Sequence, residues 1–314
     1  MNAPDFWFKA VDDYLAYRRN LGVALRTEAG QLRNFAQFAT QSDAARLTLA
    51  LAESWARAIP RPNALTSARR IEVLRGFARF LKRQDPDTVL PPSGLFGPAH
   101  RRRVPHIFTE NELQELVEAT HDLPPDGGFR AMTCPAVLGL LATTGLRIGE
   151  AVRLTRADVD LTRGLLAVRE AKRHTCRDVP LHETVRAELS AYVQHRDRRV
   201  PFPKSEGFFL WESGRSITAR QIRYAFHEIL DKLGWTPRGD YARHRLHDLR
   251  HTFIVRSLMQ AYQRNGEVGS EALSLSTYVG HARVTDTYWY LTGVPELMAM
   301  AANRFHQYAV EGRP

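Results

Sequence analysis

The stretch LHDLRHTFIVRSLMQAY, residues 246–262, has the apolar spacing of one long amphipathic helix. Its first turn places His247 and Arg250 three residues apart, so both side chains share a face of the helix. Further along, VGHARVTDTYWY, residues 279–290, adds His281 and two tyrosines. A phenol has a reference pKa of ~10, and a tyrosine that acts as a nucleophile therefore needs cations and proton acceptors around its target. This combination of residue types indicates a site that cleaves nucleic acid.

Composition indicates the number of domains, and net charge indicates the kind of molecule that the protein binds. The chain has 314 residues, of which 44% are apolar, enough for two compact domains. It carries 44 lysines and arginines against 34 acidic residues, a formal net charge of +10, which suits a polyanionic partner such as nucleic acid. A basic, arginine-rich composition without such a partner is the alternative, because many soluble proteins share it.

The two cysteines, Cys134 and Cys176, lie far apart and lack the spacing of metal ligands. They argue against a disulfide framework and a zinc module, and they favour a reducing compartment. The N-terminal segment has acidic residues where a signal peptide needs an apolar core, and no run of eighteen apolar residues occurs. We therefore expect a soluble, cytoplasmic protein.

The first part of the chain, from Phe6 to about Arg83, has helical periodicity and predicts an all-α domain. Amphipathic segments recur in it, near residues 24–39, 43–58 and 65–83. The last segment has an apolar stripe for packing and a basic stripe at i, i+4 and i+8. This basic stripe consists of Arg75, Arg79 and Arg83. It either lies against DNA phosphates or forms an ordinary solvated face.

Proline and glycine residues concentrate between Asp85 and Pro105, which is typical of a linker between domains. Near its end lies a basic run with further candidates for DNA contact, Arg101, Arg102 and Arg103. Directly after the linker, Thr109 and Glu112 form a capping-box pattern that begins a helix. The predicted limits are a first domain over residues 1–90, a linker over 91–105 and a second domain over 106–314.

The second domain is predicted to be mainly helical with one small sheet. Between residues 158 and 181, apolar and polar residues alternate around turns at 162–164 and 173–175, which predicts three antiparallel strands. Helical spacing predicts helices over residues 132–145, from about 148, and over 183–196, 219–234, 246–262 and 296–309. The apolar side of the last helix consists of Leu297, Met298, Ala301 and Phe305.

Several motifs follow one another along the chain: TTGLRIGEAVRL at residues 143–154, Lys172 in a predicted strand turn, HDLRH at 247–251 and VGHARVTDTYWY at 279–290. Taken together, they resemble the tyrosine recombinase (phage integrase) family, over the whole second domain and more loosely over the first. The resemblance implies a mainly α fold with a small antiparallel β-sheet. It implies a helical, SAM-like core DNA-binding domain followed by an α+β catalytic domain.

The resemblance assigns catalytic roles to Arg147, in the TGLRxxE motif, and to Arg250 and His247, in the HxxR motif. A guanidinium donates two parallel hydrogen bonds to phosphate oxygens and keeps its charge at working pH. Glu150, one turn after Arg147, either orients that region or is an ordinary acid favoured at a helix N-terminus. His247 shares a face with Arg250, so one phosphate would meet both side chains.

A metal site is the alternative for the helix that carries His247, because His244 and His251 give spacings of three and four residues. Neighbouring arginines would repel a cation. We therefore expect no metal and no cofactor, and we expect His251 to be a local packing or hydrogen-bonding residue.

The resemblance makes His281 a further catalytic residue, which with His247 would accept or donate protons and hold the phosphate. It places the nucleophile nine residues after His281, at Tyr290. Tyr288 is the rival, but two residues correspond to ~200° of helical rotation, so the two hydroxyls point to opposite sides. Lys172, between the second and third strands, is assigned as the general acid for the 5′-oxygen leaving group. Family members often have glycine-rich turns here, whereas Arg173 follows Lys172 in this chain. Arg173 is an alternative donor and a candidate DNA contact.

The implied activity is site-specific recombination by an enzyme that breaks and rejoins DNA. Tyr290 attacks a phosphodiester and forms a 3′-phosphotyrosyl bond, which the 5′-hydroxyl of a partner strand then attacks. The implied partner is double-stranded DNA at specific sites, bound by a dimer at each site and a tetramer in the synapse. The C-terminal helix docks on a neighbouring protomer or packs within its own domain.

We favour a recombinase of a mobile element, of the integrase or transposase type. Two alternatives stay open. One is a type IB topoisomerase, which rejoins the original strand by the same chemistry. The other is a non-catalytic DNA-binding relative that keeps the fold.

Overall fold

Both parts of the chain are built mainly from helices. The computed structural model describes residues 3–60, 63–100, 102–170, 175–264 and 267–311. It divides into two units, Met1–Arg102 and Arg103–Pro314, each with its own apolar core. The predicted linker, residues 91–105, spans the point of division.

The helices described in the first unit are α1 (Ala3–Asn20), α2 (Arg26–Gln41), α3 (Leu49–Arg57) and α4 (Ala64–Leu81). Helix α3 is shorter than the predicted segment 43–58 because Thr48 caps it. The Thr48 hydroxyl accepts a hydrogen bond of 3.2 Å from the backbone N–H of Leu51. Buried aromatic rings that meet edge to face fill the core, and they belong to Trp7, Phe35, Trp55 and Phe77.

The second unit places helices around a small sheet. Its helices are α5 (Glu110–Glu118), α6 (Phe129–Thr144), α7 (Ile148–Ala151), α8 (Glu183–Arg199), α9 (Ala219–Leu233), α10 (Leu246–Gln263), α11 (Val268–Val279), α12 (Thr285–Gly293) and α13 (Pro295–Glu311). The predicted capping box of Thr109 and Glu112 is confirmed at the start of α5. Periodicity predicted no helix at α11, because small and polar residues separate its apolar positions.

The sheet consists of three antiparallel strands, β1 (Val159–Asp160), β2 (Leu165–Glu170) and β3 (Thr175–Pro180), in the order β1-β2-β3. Leu166 pairs with Val179, and both side chains are buried in the core. The predicted antiparallel sheet is therefore confirmed. Lys172 and Arg173, which were predicted to lie in a turn between the second and third strands, lie outside the described residues.

Two apolar clusters hold the second unit together. Helix α6 lies in the larger cluster, where Cys134, Val137 and Leu141 are buried. The second cluster packs α10 against the last helices through residues such as Ile254 and Leu297. The predicted fold class, mainly α with a small antiparallel sheet, is confirmed. None of the helices in the described ranges combines the length and apolarity that a membrane span requires.

Candidate active site

Arg147 stands at the start of a short helix, directly after a glycine turn. Helix α6 ends at Thr144 and is followed by Gly145, which has φ +62°, and a side chain at Gly145 would meet the ring of Phe253 at 2.5 Å. Arg147 precedes α7, and its backbone N–H donates a hydrogen bond of 3.0 Å to the carboxylate of Glu150. The TGLRxxE motif therefore folds into a turn and a capped helix start that fix the backbone of Arg147.

The guanidinium of Arg147 is held from two sides. Its Nη1 donates to Oε1 of Glu150 at 2.8 Å, and its Nη2 donates to the carbonyl oxygen of Gly280 at 2.9 Å. Glu150 is buried, at 4% exposure. Burial raises the pKa of Glu150, but hydrogen bonds from Arg177 and Arg147 outweigh this effect, so the pKa lies below its ordinary value. The carboxylate stays charged and orients the Arg147 side chain.

Arg177 on β3 belongs to the same network, and the motifs did not point to it. Its Nη2 donates to the Glu150 carboxylate at 2.9 Å, and its Nε donates to the carbonyl oxygen of Tyr278 at 2.9 Å. A side chain at Gly280, where φ is +67°, would come within 2.8 Å of this guanidinium. Strand alternation offered a signal, because Arg177 shares a face with the buried Val179. A charge on a buried face needs partners.

Arg250 lies near the start of α10 and is buried, at 2% exposure. Its Nη1 donates to the carbonyl oxygen of Gly145 at 2.7 Å, and its Nη2 donates to that of Val279 at 2.6 Å. Burial and then the charge of Arg147 lower its pKa to about 10, so it stays charged at neutral pH. Arg147 and Arg250 thus donate to the adjacent carbonyls of Gly280 and Val279. One short turn of the chain brings the two guanidinium groups together.

Two histidines lie close to the same cations. The ring of His247 is exposed, yet the walls of the site partly desolvate it, and the charges of Arg250 and Arg245 add to this effect, so its pKa falls to about 4. Nδ1 of the half-buried His281 lies 2.7 Å from Oγ1 of Thr287. Burial and then the charge of Arg250 lower the pKa of His281 to about 4. Both imidazoles are therefore neutral at neutral pH.

The two candidate tyrosines lie on α12 in different surroundings. Tyr290 is buried, at 3% exposure, and its hydroxyl oxygen lies 2.5 Å from Nδ1 of His251. Tyr288 is exposed, at 39%. The ~200° of rotation between the two positions explains the difference, since one side of α12 packs on the protein and the other faces solvent. His251, which was predicted to be a local packing or hydrogen-bonding residue, makes its hydrogen bond to Tyr290, 39 positions away.

The histidines that suggested a metal site lie in different environments. His244, which precedes α10, is buried with its ring centre 4.4 Å from that of His106. His247 and His251 pack against each other with ring centres 4.6 Å apart. Across the described part of the chain, no group of three or more histidines, cysteines or acidic residues is arranged to hold a metal ion. The site itself combines arginines with neutral imidazoles and a buried phenol.

Most of the second unit, residues 106–293, matches the phage integrase family. The chain belongs to this family. It is 37% identical over 304 residues to the integrase/recombinase y4rE of Sinorhizobium fredii (strain NBRC 101917 / NGR234), covering 95% of this chain and 96% of the relative. It is 28% identical over 250 residues to the tyrosine recombinase XerC of Leptospira interrogans serogroup Icterohaemorrhagiae serovar copenhageni (strain Fiocruz L1-130), covering 78% and 73%.

Solved structures of phage integrase relatives have the same fold. The XerH site-specific recombinase bound to a palindromic difH substrate, in a post-cleavage complex, superposes with a TM-score of 0.69 at 15% identity and covers 90% of this chain and 80% of that one. The family assignment confirms the tyrosine recombinase predicted from the motifs, and with it a site-specific recombinase enzyme. The similarity to y4rE extends over nearly the whole chain and so includes the helical first unit.

The predicted arginine stripe, which begins on α4 and ends with Arg83 just after it, is less uniform than its spacing suggested. Arg75 is mostly buried, and its guanidinium donates to the carbonyl oxygen of Pro91. Arg79 and Arg83 are exposed, and the Arg83 guanidinium lies 5.2 Å from the ring centre of Tyr17. The first member of the stripe therefore anchors a loop, and the other two face solvent.

The linker arginines described in the structure, Arg102 and Arg103, are also exposed. Arg103 lies 5.4 Å from the ring centre of Tyr241, and Arg245 lies 3.3 Å from the same ring centre. Arg245 immediately precedes α10, so Arg103 lies near the helix that carries His247. Other predicted site residues lie outside the described residues, and these are Arg101, Lys172 and Arg173.

The predicted apolar side of the C-terminal helix is divided in α13. Leu297 is fully buried in the cluster that includes Tyr290. Met298 and Phe305 are exposed. Leu297 therefore packs within its own unit, whereas the apolar side chains of Met298 and Phe305 face solvent.

Proposed function

We propose that Tyr290 attacks a DNA phosphodiester and forms a 3′-phosphotyrosyl intermediate, which the 5′-hydroxyl of a partner strand then resolves. Arg147 and Arg250 donate to the adjacent carbonyls of Gly280 and Val279, and this convergence carries the proposal. Two guanidinium groups held side by side suit the non-bridging oxygens of one phosphate, whose negative charge grows in the transition state. The phosphotyrosyl bond conserves the energy of the broken linkage, so rejoining needs no ATP.

The other predicted residues complete this chemistry. His247 and His281 are neutral because of desolvation and nearby arginines. The negative charge of a bound phosphate offsets those arginines, so either imidazole then donates or accepts a proton near neutral pH. Lys172 serves as the general acid that protonates the departing 5′-oxygen, and Arg173 is the alternative donor.

The proposed partner is double-stranded DNA at specific recombination sites. The net charge of +10 and the exposed side chains of Arg79, Arg83 and Arg103 support binding to phosphates. We propose a dimer at each site and a tetramer in the synapse. The exposed Met298 and Phe305 of α13 supply apolar surface for a neighbouring protomer.

The proposed biological role is recombination of a mobile element in the cytoplasm. The relationship to the integrase/recombinase y4rE supports this role. The segment TYWYLT, residues 287–292, also resembles those of some transposon-encoded recombinases.

Covalent capture tests the proposed function. The chain is incubated with sheared genomic DNA of its host and denatured, and the covalently bound fragments are sequenced. Nicked suicide duplexes of the recovered sequence then report cleavage as an adduct on a denaturing gel. We expect an adduct with the native chain and none with Tyr290→Phe. DNA binding without any adduct would favour the non-catalytic relative, and relaxation of arbitrary supercoiled plasmid without recombination would favour the topoisomerase.

A further inference from the structure

We infer, on the basis of the proposed function, that His251 holds the hydroxyl of Tyr290 and accepts its proton when the phenol oxygen attacks phosphorus. The distance from Nδ1 of His251 to the Tyr290 hydroxyl oxygen is 2.5 Å. This is at the short end of the range for hydrogen bonds made by a hydroxyl. His251 lies outside the HxxR motif, which ends at Arg250. It would therefore be an additional catalytic residue, because it contacts the reacting oxygen.

Neighbouring polar residues of helix α10 contact different parts of the site. Arg250 reaches backbone carbonyls of two other segments, whereas His251, the next residue, reaches Tyr290 on α12. His247 lies one turn before His251, and the two rings meet nearly edge to face. The Tyr290 ring is buried in the apolar cluster that contains Leu297. The phenol is thus fixed by packing, and its hydroxyl is directed to the His251 ring.

The surroundings of His251 keep its ring neutral. The titratable and charged groups that face it come from α10 and the residue before it, from the segment before α12 and from α12 itself. They are Arg245, His247, Arg250, His281 and Tyr290. Burial, and then the positive charges among these groups, lower the pKa of His251 to about 2. A neutral imidazole with its proton on Nε2 presents a lone pair at Nδ1. In this tautomer Tyr290 donates the hydrogen bond and His251 accepts it.

The proton balance of the cleavage step follows from this contact. The O–H bond of Tyr290 breaks as the bond from its oxygen to phosphorus forms, and the proton moves to Nδ1 of His251. The P–O5′ bond breaks, and the departing 5′-oxygen takes its proton from the proposed general acid, Lys172. The bound phosphodiester brings negative charge beside Arg147 and Arg250 and so raises the proton affinity of His251 during the step. In rejoining, His251 returns the proton to the phenolate.

Two substitutions of His251 distinguish its hydrogen bond to the Tyr290 hydroxyl from its acceptance of the proton. Asparagine places an amide oxygen close to the position of Nδ1, so His251→Asn accepts the hydrogen bond but cannot take the proton. His251→Ala does neither. The probe is the nicked suicide duplex recovered by covalent capture. The measured quantity is the single-turnover rate of adduct formation, from neutral pH up to the pKa of a free phenol.

We expect the rate of the native chain to change little over this pH range, because an internal group accepts the proton. In His251→Asn the rate should fall by about 100-fold at neutral pH and rise with pH as the phenol ionises. His251→Ala should be slower still, and added imidazole should restore part of its rate. A native rate and a flat pH profile in His251→Asn would overturn the inference, since a purely positional role predicts both.

A duplex with a 5′-bridging phosphorothiolate shows which proton transfer the variants impair. Its sulfur leaves without taking a proton, so cleavage of this duplex needs no general acid. The His251 variants should stay slow on this duplex. Recovery of the native rate would assign His251 to the leaving group and overturn the inference. If the native chain itself forms no adduct, the proposed function fails before any variant is compared. Circular dichroism and DNA binding check folding, and His251→Asn, which keeps the cavity filled, carries the test if His251→Ala unfolds.

Discussion

The guanidinium of Arg250 and the carbonyl oxygen of Gly145 are joined by a hydrogen bond of 2.7 Å. This bond ties helix α10 to the glycine turn that positions Arg147, so one arginine of the site supports the backbone of the other. A second bond, to the carbonyl oxygen of Val279, extends the connection to the end of α11. Arg250 therefore has a structural task in addition to its proposed contact with phosphate.

Arg250→Lys should impair both cleavage and stability. The lysine ammonium cannot replace the planar guanidinium, whose two terminal nitrogens reach the carbonyl oxygens of Gly145 and Val279. A buried carbonyl left without a hydrogen bond lowers the free energy of unfolding by about 1–3 kcal/mol. Loss of the second phosphate donor should slow adduct formation by ~100- to 1000-fold. Arg147→Lys is the comparison, with a similar loss of cleavage and a smaller loss of stability. Urea denaturation that shows Arg250→Lys as stable as the native chain would contradict the anchoring role.

Tyr290→Phe should abolish the covalent adduct and leave DNA binding intact, because it removes only the attacking oxygen. Tyr288→Phe is the matched control, since its exposed hydroxyl points away from the site. It should cleave at close to the native rate. Both variants are compared on the same suicide duplex by denaturing gel and by gel shift. Cleavage by Tyr290→Phe together with loss of cleavage in Tyr288→Phe would reverse the assignment of the nucleophile.

Glu150→Gln should destabilise the second unit at neutral pH. The buried carboxylate pairs with Arg147 and Arg177, and removing its charge leaves two guanidinium groups uncompensated, at a cost of about 3–5 kcal/mol. The folded-state pKa of Glu150 is lowered, so its contribution is full above the unfolded value of 4.5 and is lost as pH falls below it. The difference in free energy of unfolding between the native chain and Glu150→Gln should therefore shrink in acid.

The matched control for that variant is Glu183→Gln. Glu183 forms an exposed ion pair with Arg186, and its replacement should change the free energy of unfolding by less than about 1 kcal/mol. A difference between the native chain and Glu150→Gln that stays constant from neutral to acid pH would show that the carboxylate charge is not what Glu150 contributes.

His106→Asn should reduce the loss of stability in mild acid. Burial, and then the charges of His244 and Arg238, lower the pKa of His106 from 6.5 to about 4. Between pH 6.5 and about 4, His106 is therefore protonated in the unfolded chain but neutral in the folded chain. The free energy of unfolding falls as the pH drops through this range, by at most about 3 kcal/mol for this residue. Asparagine keeps an acceptor for the backbone N–H of Arg238 but does not titrate. Urea unfolding across this pH range should show a shallower slope for the variant, and an identical slope would exclude His106 as the source.

Arg79→Ala and Arg83→Ala should each weaken binding to any DNA sequence and lower the slope of log affinity against log salt by about 1. Arg75→Ala should instead lower the stability of the first unit, because its guanidinium holds the carbonyl of Pro91. Arg33→Ala is the control, since Arg33 is exposed but already paired with Asp12. Fluorescence anisotropy over a salt series distinguishes these cases. A native slope in both Arg79→Ala and Arg83→Ala would remove the arginine stripe from the proposed DNA interface.

Local patterns predicted the elements of the site well. The glycine turn before Arg147, the capping box of Thr109 and the alternation of the small sheet each depend on residues close together in the sequence, and each has the predicted form. Helix spacing also predicted that Tyr288 and Tyr290 face opposite ways, which their exposures bear out.

The contacts that join distant segments were not predictable in this way. Arg177 meets Glu150 across 27 positions, and His251 meets Tyr290 across 39. Tertiary packing decides both pairs: strand β3 lies beside α7 in the first pair, and α10 lies beside α12 in the second. Periodicity within one element does not indicate which element packs against it. The same limit explains Arg75, whose place in a basic stripe gave no sign of the loop carbonyl that it binds.

The arginines of the site bind main-chain carbonyl oxygens: Arg147 at Gly280, Arg250 at Gly145 and Val279, and Arg177 at Tyr278. A carbonyl oxygen is supplied by every residue type, so the acceptors at Tyr278 and Val279 do not depend on the side chain, whereas Gly145 and Gly280 are restricted by their positive φ and close neighbours. The fold is retained at 15% identity to XerH, which shows how far side chains of this architecture can diverge. Evolution can thus rewrite the surfaces that recognise new DNA targets while the cations stay where the peptide backbone holds them.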